Sequence, residues 1–400
     1  MATESRGPLH GVQVLELGHI VAGPTASLIM AELGADVIKV ERPGTGDQAR
    51  LNAINQGHFI SYNSNKESIT LNIADSLDKE ILLKLVEKSD VLIDNFGPNS
   101  LDKLGLGYET LSDINPRLIH CSIKGFLPGP YGDRSLTDEP AQMMGGLAYM
   151  TGPKGNPLRA GTSAVDINGA MFGVIAILAA LQERAQTSKG RQVHIGLFES
   201  VVFLVGQHIA NASLTGEVPL PMPERGMGRA LGWGIYRIFA TRDGRDVFVA
   251  VLSDAHWERF CSEFELTDLW ADPVLRTNNG RAEQHERLGE RTEELMQSLD
   301  MKEIVARLEK AALPFSPVNT PADLIEDPHL AALEFLKTVT APDGREGLVA
   351  TLPIATPDWF SGARKNPPAL GEDNAAVLDR IKELRQAKPQ APTTNTAVIN

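Results

Sequence analysis

The sequence predicts an α/β protein, with a Rossmann-like parallel sheet in a large domain followed by a smaller α+β domain. Three observations carry this. Over the first 125 residues, short β-branched runs alternate with helical stretches. Near residue 219 the character changes: Pro219, Pro221 and Pro223 are followed by Gly226, Gly228, Gly232 and Gly234. A chain of 400 residues also exceeds what one compact core usually takes.

Val12–Leu17, Asp36–Glu41, Ser68–Ile73, Val91–Asp94 and Arg117–Ile123 read as strands. Between the first two, Pro24 suits a helix start and Gly34 its end. Ser76–Lys88 places Leu77, Ile81, Leu82 and Leu85 at helical spacing behind Ser76 as N-cap. Strands alternating with helices make a parallel sheet, whose ligands sit at the carboxyl ends of its strands. The helix Asp166–Arg184 follows, with Ile167, Met171, Val174, Ile175, Leu178 and Leu181 in one stripe and Phe172 and Ile177 on other faces. Apolar nearly all round, it is expected to be buried. The polar turn Gln186–Arg191 ends it, and an apolar segment, Val193–Ile209, comes next.

Past the prolines, Ile235–Ala240 and Asp246–Leu252 flank Arg242-Asp243-Gly244-Arg245, a hairpin signal. Charged helices at Ala255–Phe264, Arg281–Ser298 and Lys302–Ala312 complete a small domain over 220–328. The Pro-marked passage Pro314–Pro328 returns the chain to the large domain, 1–215, completed by about 330–400.

A net charge of −13 argues against non-specific nucleic-acid binding and against docking on an anionic membrane. Cys121 and Cys261 show no metal-type spacing, and a reducing compartment is the simpler setting. The first ten residues lack the apolar core of a signal peptide, and the apolar stretch Gly169–Leu181 is too short to span a bilayer. A cytoplasmic protein with no membrane partner is expected.

No P-loop, His-Glu-x-x-His, Cys-x-x-Cys or Gly-x-Ser-x-Gly motif is present, and no metal site is expected. The dinucleotide fingerprint is replaced after the first strand by His19-Ile20-Val21-Ala22-Gly23-Pro24. Asp166 stands where a helix begins. It reads either as a helix cap or as a carboxylate nucleophile whose ionised form the helix dipole and free amides favour. Arg42, Lys66 and Lys103 fall near the carboxyl ends of early strands or just beyond. They read as solvated charges, or jointly as a pocket for phosphates. The turn Asn95-Phe96-Gly97-Pro98 is either an ordinary strand end or a surface pressed on a ligand. The glycine run 226–234 precedes a strand rather than a helix, so it is a mobile loop or a domain-connecting turn, not a phosphate cradle.

Ordered blocks from Gly7 to about Gly371 resemble family III CoA-transferases, the group of formyl-CoA, carnitine and glutarate CoA-transferases and α-methylacyl-CoA racemase. They include Ala22-Gly23-Pro24, the run Leu33 to Gly44, Asn65-Lys66-x-Ser68-Ile69, Asn95 to Pro98, Gly105 to Tyr108, Gly145 to Gly152, Asp166 with Gly169, and Pro367 to Gly371. The resemblance implies that Asp166 is the nucleophile. It implies a CoA pocket at His19, Ile20, Val21, Ala22, Arg42, Leu71, Asn72, Ile73, Ala74, Asn95, Phe96, Gly97, Lys103, Ser135, Leu136, Thr137 and Asp138. It also implies a flexible substrate loop holding Gly226, Gly228, Gly232 and Gly234, and an interlocked homodimer. Acyl-CoA and small carboxylic acids would be substrates, with no permanently bound cofactor.

Three departures matter. Lys103 stands where the family usually has Arg, Val21 replaces a Gln of formyl-CoA transferases, and Thr137 stands where racemases carry a His of their acid/base pair. The expected reaction is therefore CoA transfer between carboxylic acids. A 2-methylacyl-CoA racemase and a non-catalytic CoA-binding paralogue are the alternatives, and a dehydrogenase would rest on the sheet alone. Arg159, Arg225 and Arg229 hint at a second substrate carboxylate, as in succinate.

Overall fold

Six strands form one parallel sheet: β1 (Gln13–Leu17), β2 (Asp36–Glu41), β3 (Lys66–Thr70), β4 (Val91–Asp94), β5 (Ile119–Lys124) and β6 (Arg191–Gly196). Their order, β3-β2-β1-β4-β5-β6, is that of the doubly wound α/β folds. β4 is buried throughout and β1 at all but its first residue, as strands covered on both faces must be. Leu17 pairs with Asp94 at the carboxyl edge. The connections leave β1 and β4 in opposite directions, so a crevice opens between the segments that follow these two residues.

This is a computed structural model, and it describes residues 7–51, 56–222, 232–356, 359–360, 362 and 364–386. The chain divides into two compact units. One comprises Met1–Gly145, Thr162–Phe203 and Ala331–Asn400, and the other Gly146–Gly161 and Leu204–Leu330. The assignment of Gly146–Gly161 to the second unit is not foreseen by a boundary at 215.

In the first unit, Leu15, Leu17, Val40, Ile69, Leu82, Val86, Leu92 and Val377 share one core. Strand β3 begins at Lys66, two residues earlier than its sequence suggests, and ends at Thr70. Its edge is closed by the C-terminal part of the unit, where Ser68 N donates to Asp373 (2.8 Å) and Thr70 N to Asn374 (2.8 Å). The helix Ser76–Lys88 is capped by Asp75, not Ser76, the Asp75 carboxylate accepting from the amides of Leu77 and Asp78. β5 starts at Ile119 rather than Arg117, because Pro116 and Arg117 complete the preceding turn.

The long helix runs Ala164–Thr187, so Asp166 lies inside its first turn and does not cap it. By length and composition it could cross a membrane, yet one face packs on β5, β6 and the helix Ala22–Glu32. The buried stripe is Val165, Gly169, Ala170, Gly173, Val174, Ile177 and Ala180. Met171, Ile175 and Leu178, expected to be buried, are 45%, 60% and 38% exposed. The small residues let the helix approach the sheet closely, and that leaves the larger side chains on the far face. Beyond β6 the apolar segment forms two helices, Leu197–Leu204 and Gly206–Thr215.

The second unit holds the hairpin β7 (Ile235–Ala240) and β8 (Asp246–Val251), closed at Gly244 with φ of +74° and extended by β9 (Phe315–Pro317). Trp257, Phe260, Leu288, Met296, Ile304 and Leu308 form its core. The stretch read as one helix from Arg281 is two, Asn278–Glu283 and His285–Ser298. Met301–Lys310 follows with a full capping box between Asp300 and Glu303.

Candidate active site

The turn after β1 and the turn after β4 are tied together. His19 N donates to Asn95 Oδ1 and Asn95 Nδ2 donates back to His19 O, both at 2.9 Å. His19 stacks on Phe96 with ring centroids 5.8 Å apart, and burial holds its imidazole below the ordinary range. Only glycine fits at position 23, since a Cβ there would stand 2.9 Å from Gly18 Cα and 3.0 Å from Asn95 Oδ1. Ile20 adopts φ of +64°, a left-handed conformation that β-branched residues rarely take.

Two clefts meet at His19 and Phe96. The first, about 600 Å³, brings together Arg42, Leu71, Asn72, Ile73 and Ala74 beside Thr45, Asp47 and Leu51. Leu17, Val40, Leu51, Leu71, Ile73 and Phe96 give it apolar walls, and Arg42 is its one guanidinium, beside the polar Thr45, Gln48 and Asn72 and the acidic Glu41 and Asp47. The second, about 430 Å³, is lined by Ile20, Val21, Ala22, Asn95, Phe96, Gly97, Ser135, Leu136, Thr137, Asp138 and Asp166. The strand-end turns thus serve both clefts.

Asp166 is held by a distant partner. Asp138 Oδ2 accepts from the amides of Val165 (2.8 Å) and Asp166 (3.0 Å), while Asp138 Oδ1 accepts from Gln142 Nε2 (2.5 Å). The helix therefore starts without a side-chain cap from Ser163, and its first amides face Asp138. Burial, with the charges of Asp138 and Glu139, raises the Asp166 carboxyl to about 7. The expectation that free amides favour its ionised form is corrected: the amides of Val165 and Asp166 itself are taken, and by a like charge.

Lys66 does not join a phosphate pocket. It opens β3 with its side chain fully buried against Glu16, 2.8 Å away. Lys103 stands exposed on the short helix Ser100–Lys103 and lines neither cleft. Gly226 and Gly228, with Arg225 and Arg229, lie outside the described residues. Gly232 has φ of +76°, and its carbonyl accepts from Asn278 Nδ2 (2.5 Å). Gly234 is pressed on Arg281, whose Cβ would lie 2.6 Å from an added Cβ. Arg159 is exposed in the second unit. The structure adds His58, Lys124, Glu139, Ser163 and Leu197 to the Asp166 cleft, none of them legible in advance. His58 lies on the helix Gln56–Asn63 beside Tyr62, whose hydroxyl burial and the Asp166 charge push up.

The family model described as CoA-transferase family III matches residues 9–374. The formyl-CoA:oxalate CoA-transferase of Streptomyces avermitilis is 33% identical over 92% of this chain and 94% of that protein. The succinyl-CoA:mesaconate CoA-transferase of Haloarcula hispanica is 33% identical over 93% of this chain and 96% of its own. The succinyl-CoA:glutarate CoA-transferase of Homo sapiens is 30% identical, over 94% and 86%. Among solved structures, a CAIB/BAIF family protein from Brucella suis aligns with a TM-score of 0.84 at 32% identity, over 94% of this chain and 99% of that one.

Proposed function

Because the chain belongs to CoA-transferase family III and is a CoA-transferase, we propose that its reaction runs through a covalent intermediate on Asp166. The observation that carries this is a half-buried carboxylate lining the second cleft, crowded by Asp138 and Glu139. A carboxylate so placed is basic, hence nucleophilic once ionised, and esterifying it removes one of the crowded negative charges.

The steps balance as follows. Asp166 attacks the donor thioester carbonyl, giving a mixed anhydride and CoA thiolate. The thiolate attacks the aspartyl carbonyl, forming an aspartyl-CoA thioester and releasing the donor carboxylate. The acceptor carboxylate attacks that thioester, giving a second anhydride and CoA thiolate again. Attack of the thiolate on the acceptor's acyl carbon yields the new acyl-CoA and restores Asp166. CoA would lie with its nucleotide in the Arg42 cleft and its thiol arm passing His19 and Phe96.

The named relatives act on oxalate, mesaconate and glutarate, and a dicarboxylate is the substrate class we assign. Thr137 in the Asp166 cleft cannot exchange an α-proton as an acid/base pair would require, which separates this reading from a racemase. A homodimer is part of the proposal, supported by the row Met171, Ile175 and Leu178 left exposed on the long helix. So is action in the cytoplasm, supported by the buried, unpaired Cys121 and Cys261.

Intact-protein mass spectrometry tests the mechanism. Succinyl-CoA without acceptor should load CoA onto the wild-type chain at Asp166, and Asp166→Ala should show neither adduct nor transfer. Transfer by Asp166→Ala at the wild-type rate would end the proposal.

A further inference from the structure

Beneath the turn after β1 lie four charged side chains closed off from solvent: Glu16, Lys39, Asp47 and Lys66. Lys39 Nζ meets Glu16 Oε1 at 2.6 Å and Asp47 Oδ2 at 2.8 Å, and Lys66 Nζ meets Glu16 Oε2 at 2.8 Å. Burial pushes Lys39 down, but the Glu16 and Asp47 carboxylates more than reverse this, to about 12. Burial pulls Lys66 down and Glu16 only partly offsets this, leaving it at about 8.

Several of the cluster's other hydrogen bonds reach the backbone between Gly18 and Pro24, while Lys66 Nζ also donates to Asn63 Oδ1 (3.0 Å) and Asp47 Oδ1 also accepts the Ala49 amide (2.9 Å). Lys39 Nζ donates to Gly18 O (3.0 Å), Lys66 Nζ to Pro24 O (2.9 Å), and Ser27 Oγ to Glu16 Oε2 (2.6 Å). Asp47 Oδ1 accepts the amide of Ile20 (2.9 Å), the residue held at φ of +64°. Asp47 is itself fixed: its own amide donates to Glu41 Oε2 (2.9 Å), and Glu41 is gripped by Arg50 (2.7 Å). A strained backbone persists only where its surroundings over-determine it. Asn95 clamps the preceding His19 at its amide and carbonyl, and the Asp47 carboxylate is the side chain that holds the Ile20 amide itself.

We infer that Asp47 is a positioning residue for CoA transfer, holding Ile20 left-handed through its amide so that the His19–Ala22 turn keeps the shape both clefts require. This rests on reading the clefts as the transfer site. Misplacing a reacting group by about 1 Å can cost on the order of a hundred-fold in rate.

The experiment compares kcat, KM for acyl-CoA and thermal midpoint in the full chain for Asp47→Ala, Asp47→Asn and Ile20→Gly/Asp47→Ala. Asp47→Ala should lose at least about tenfold in kcat. Asp47→Asn keeps an acceptor for the Ile20 amide but leaves Lys39 short of a charge. It should keep kcat within a few-fold while melting earlier. Glycine adopts φ above zero without an anchor. Ile20→Gly should therefore restore much of the kcat of Asp47→Ala without restoring its midpoint, a split that a purely stabilising Asp47 would not produce. If Asp47→Ala does not fold, Lys39→Met/Asp47→Leu removes both charges together and reads the same lost acceptor. Near-normal kcat in that variant or in Asp47→Ala overturns the inference, as does failure of Ile20→Gly to restore kcat. Wild-type activity of Asp166→Ala would instead refute the mechanism beneath it, so the two failures are distinct.

Discussion

The carboxylate of Asp138 accepts the backbone amide of Asp166 at 3.0 Å while its charge helps lift the Asp166 side chain to about 7. One residue thus fixes where Asp166, the nucleophile we propose, sits and makes it reluctant to ionise. The two effects can be separated, because an amide side chain can still accept a hydrogen bond but carries no charge.

For the pH profile, transfer needs Asp166 ionised, so kcat/KM should fall about tenfold per unit of pH below 7, the midpoint assigned to Asp166. Asp138→Asn should shift this acid limb to lower pH by removing the like charge that acts on Asp166 more strongly. An unmoved limb would assign it to another group.

For stability, a carboxyl raised from 3.8 to about 7 keeps a proton in the folded state that the unfolded chain has lost. Its contribution to stability is therefore largest below 3.8 and declines as pH rises through that window, and above 7 its charge opposes folding. Asp166→Asn should melt higher than wild type at pH 8, at ~2–4 °C per kcal/mol gained. The difference should vanish near pH 4. Differential scanning calorimetry at the two pH values decides it.

For CoA affinity, Arg42 lines the first cleft and Lys103 does not. Charged hydrogen bonds are worth about 1.5–3 kcal/mol. Arg42→Ala should weaken CoA about tenfold by calorimetry, whereas exposed Lys103→Ala should change it by under about threefold. Equal losses would show that the bound nucleotide reaches beyond the cleft.

For assembly, Ile175→Glu places a charge in the exposed row on the long helix without touching the sheet-facing stripe. Sedimentation should show a dimer for wild type and a smaller species for the variant. A wild-type monomer at micromolar concentration, active in transfer, would remove the dimer from the proposal.

What the sequence made legible was local. β2 runs Asp36–Glu41 as its pattern indicates, because turn residues bracket a β-branched run. The pocket stretch Leu71–Ala74 was found through ordered blocks shared with a family, not through chemistry written in the residues themselves. What stayed hidden depends on partners far along the chain. Lys66 reads as a surface cation until Glu16, fifty residues earlier, is seen to bury it. Asp166 reads as a cap until Asp138 is found capping in its place. The exposed row on the long helix escaped notice because a helix apolar all round does not say which side meets the sheet.

On the proposed placement of CoA, the stack of His19 on Phe96, where the two clefts meet, separates recognition of the carrier from recognition of its cargo. On that placement, a thioester of a short thiol would offer Asp166 the same carbonyl, yet leave the Arg42 cleft vacant. Binding energy from the remote end of a substrate is what positions its reactive end. Such truncated handles should therefore react slowly even when the acid they carry fits well.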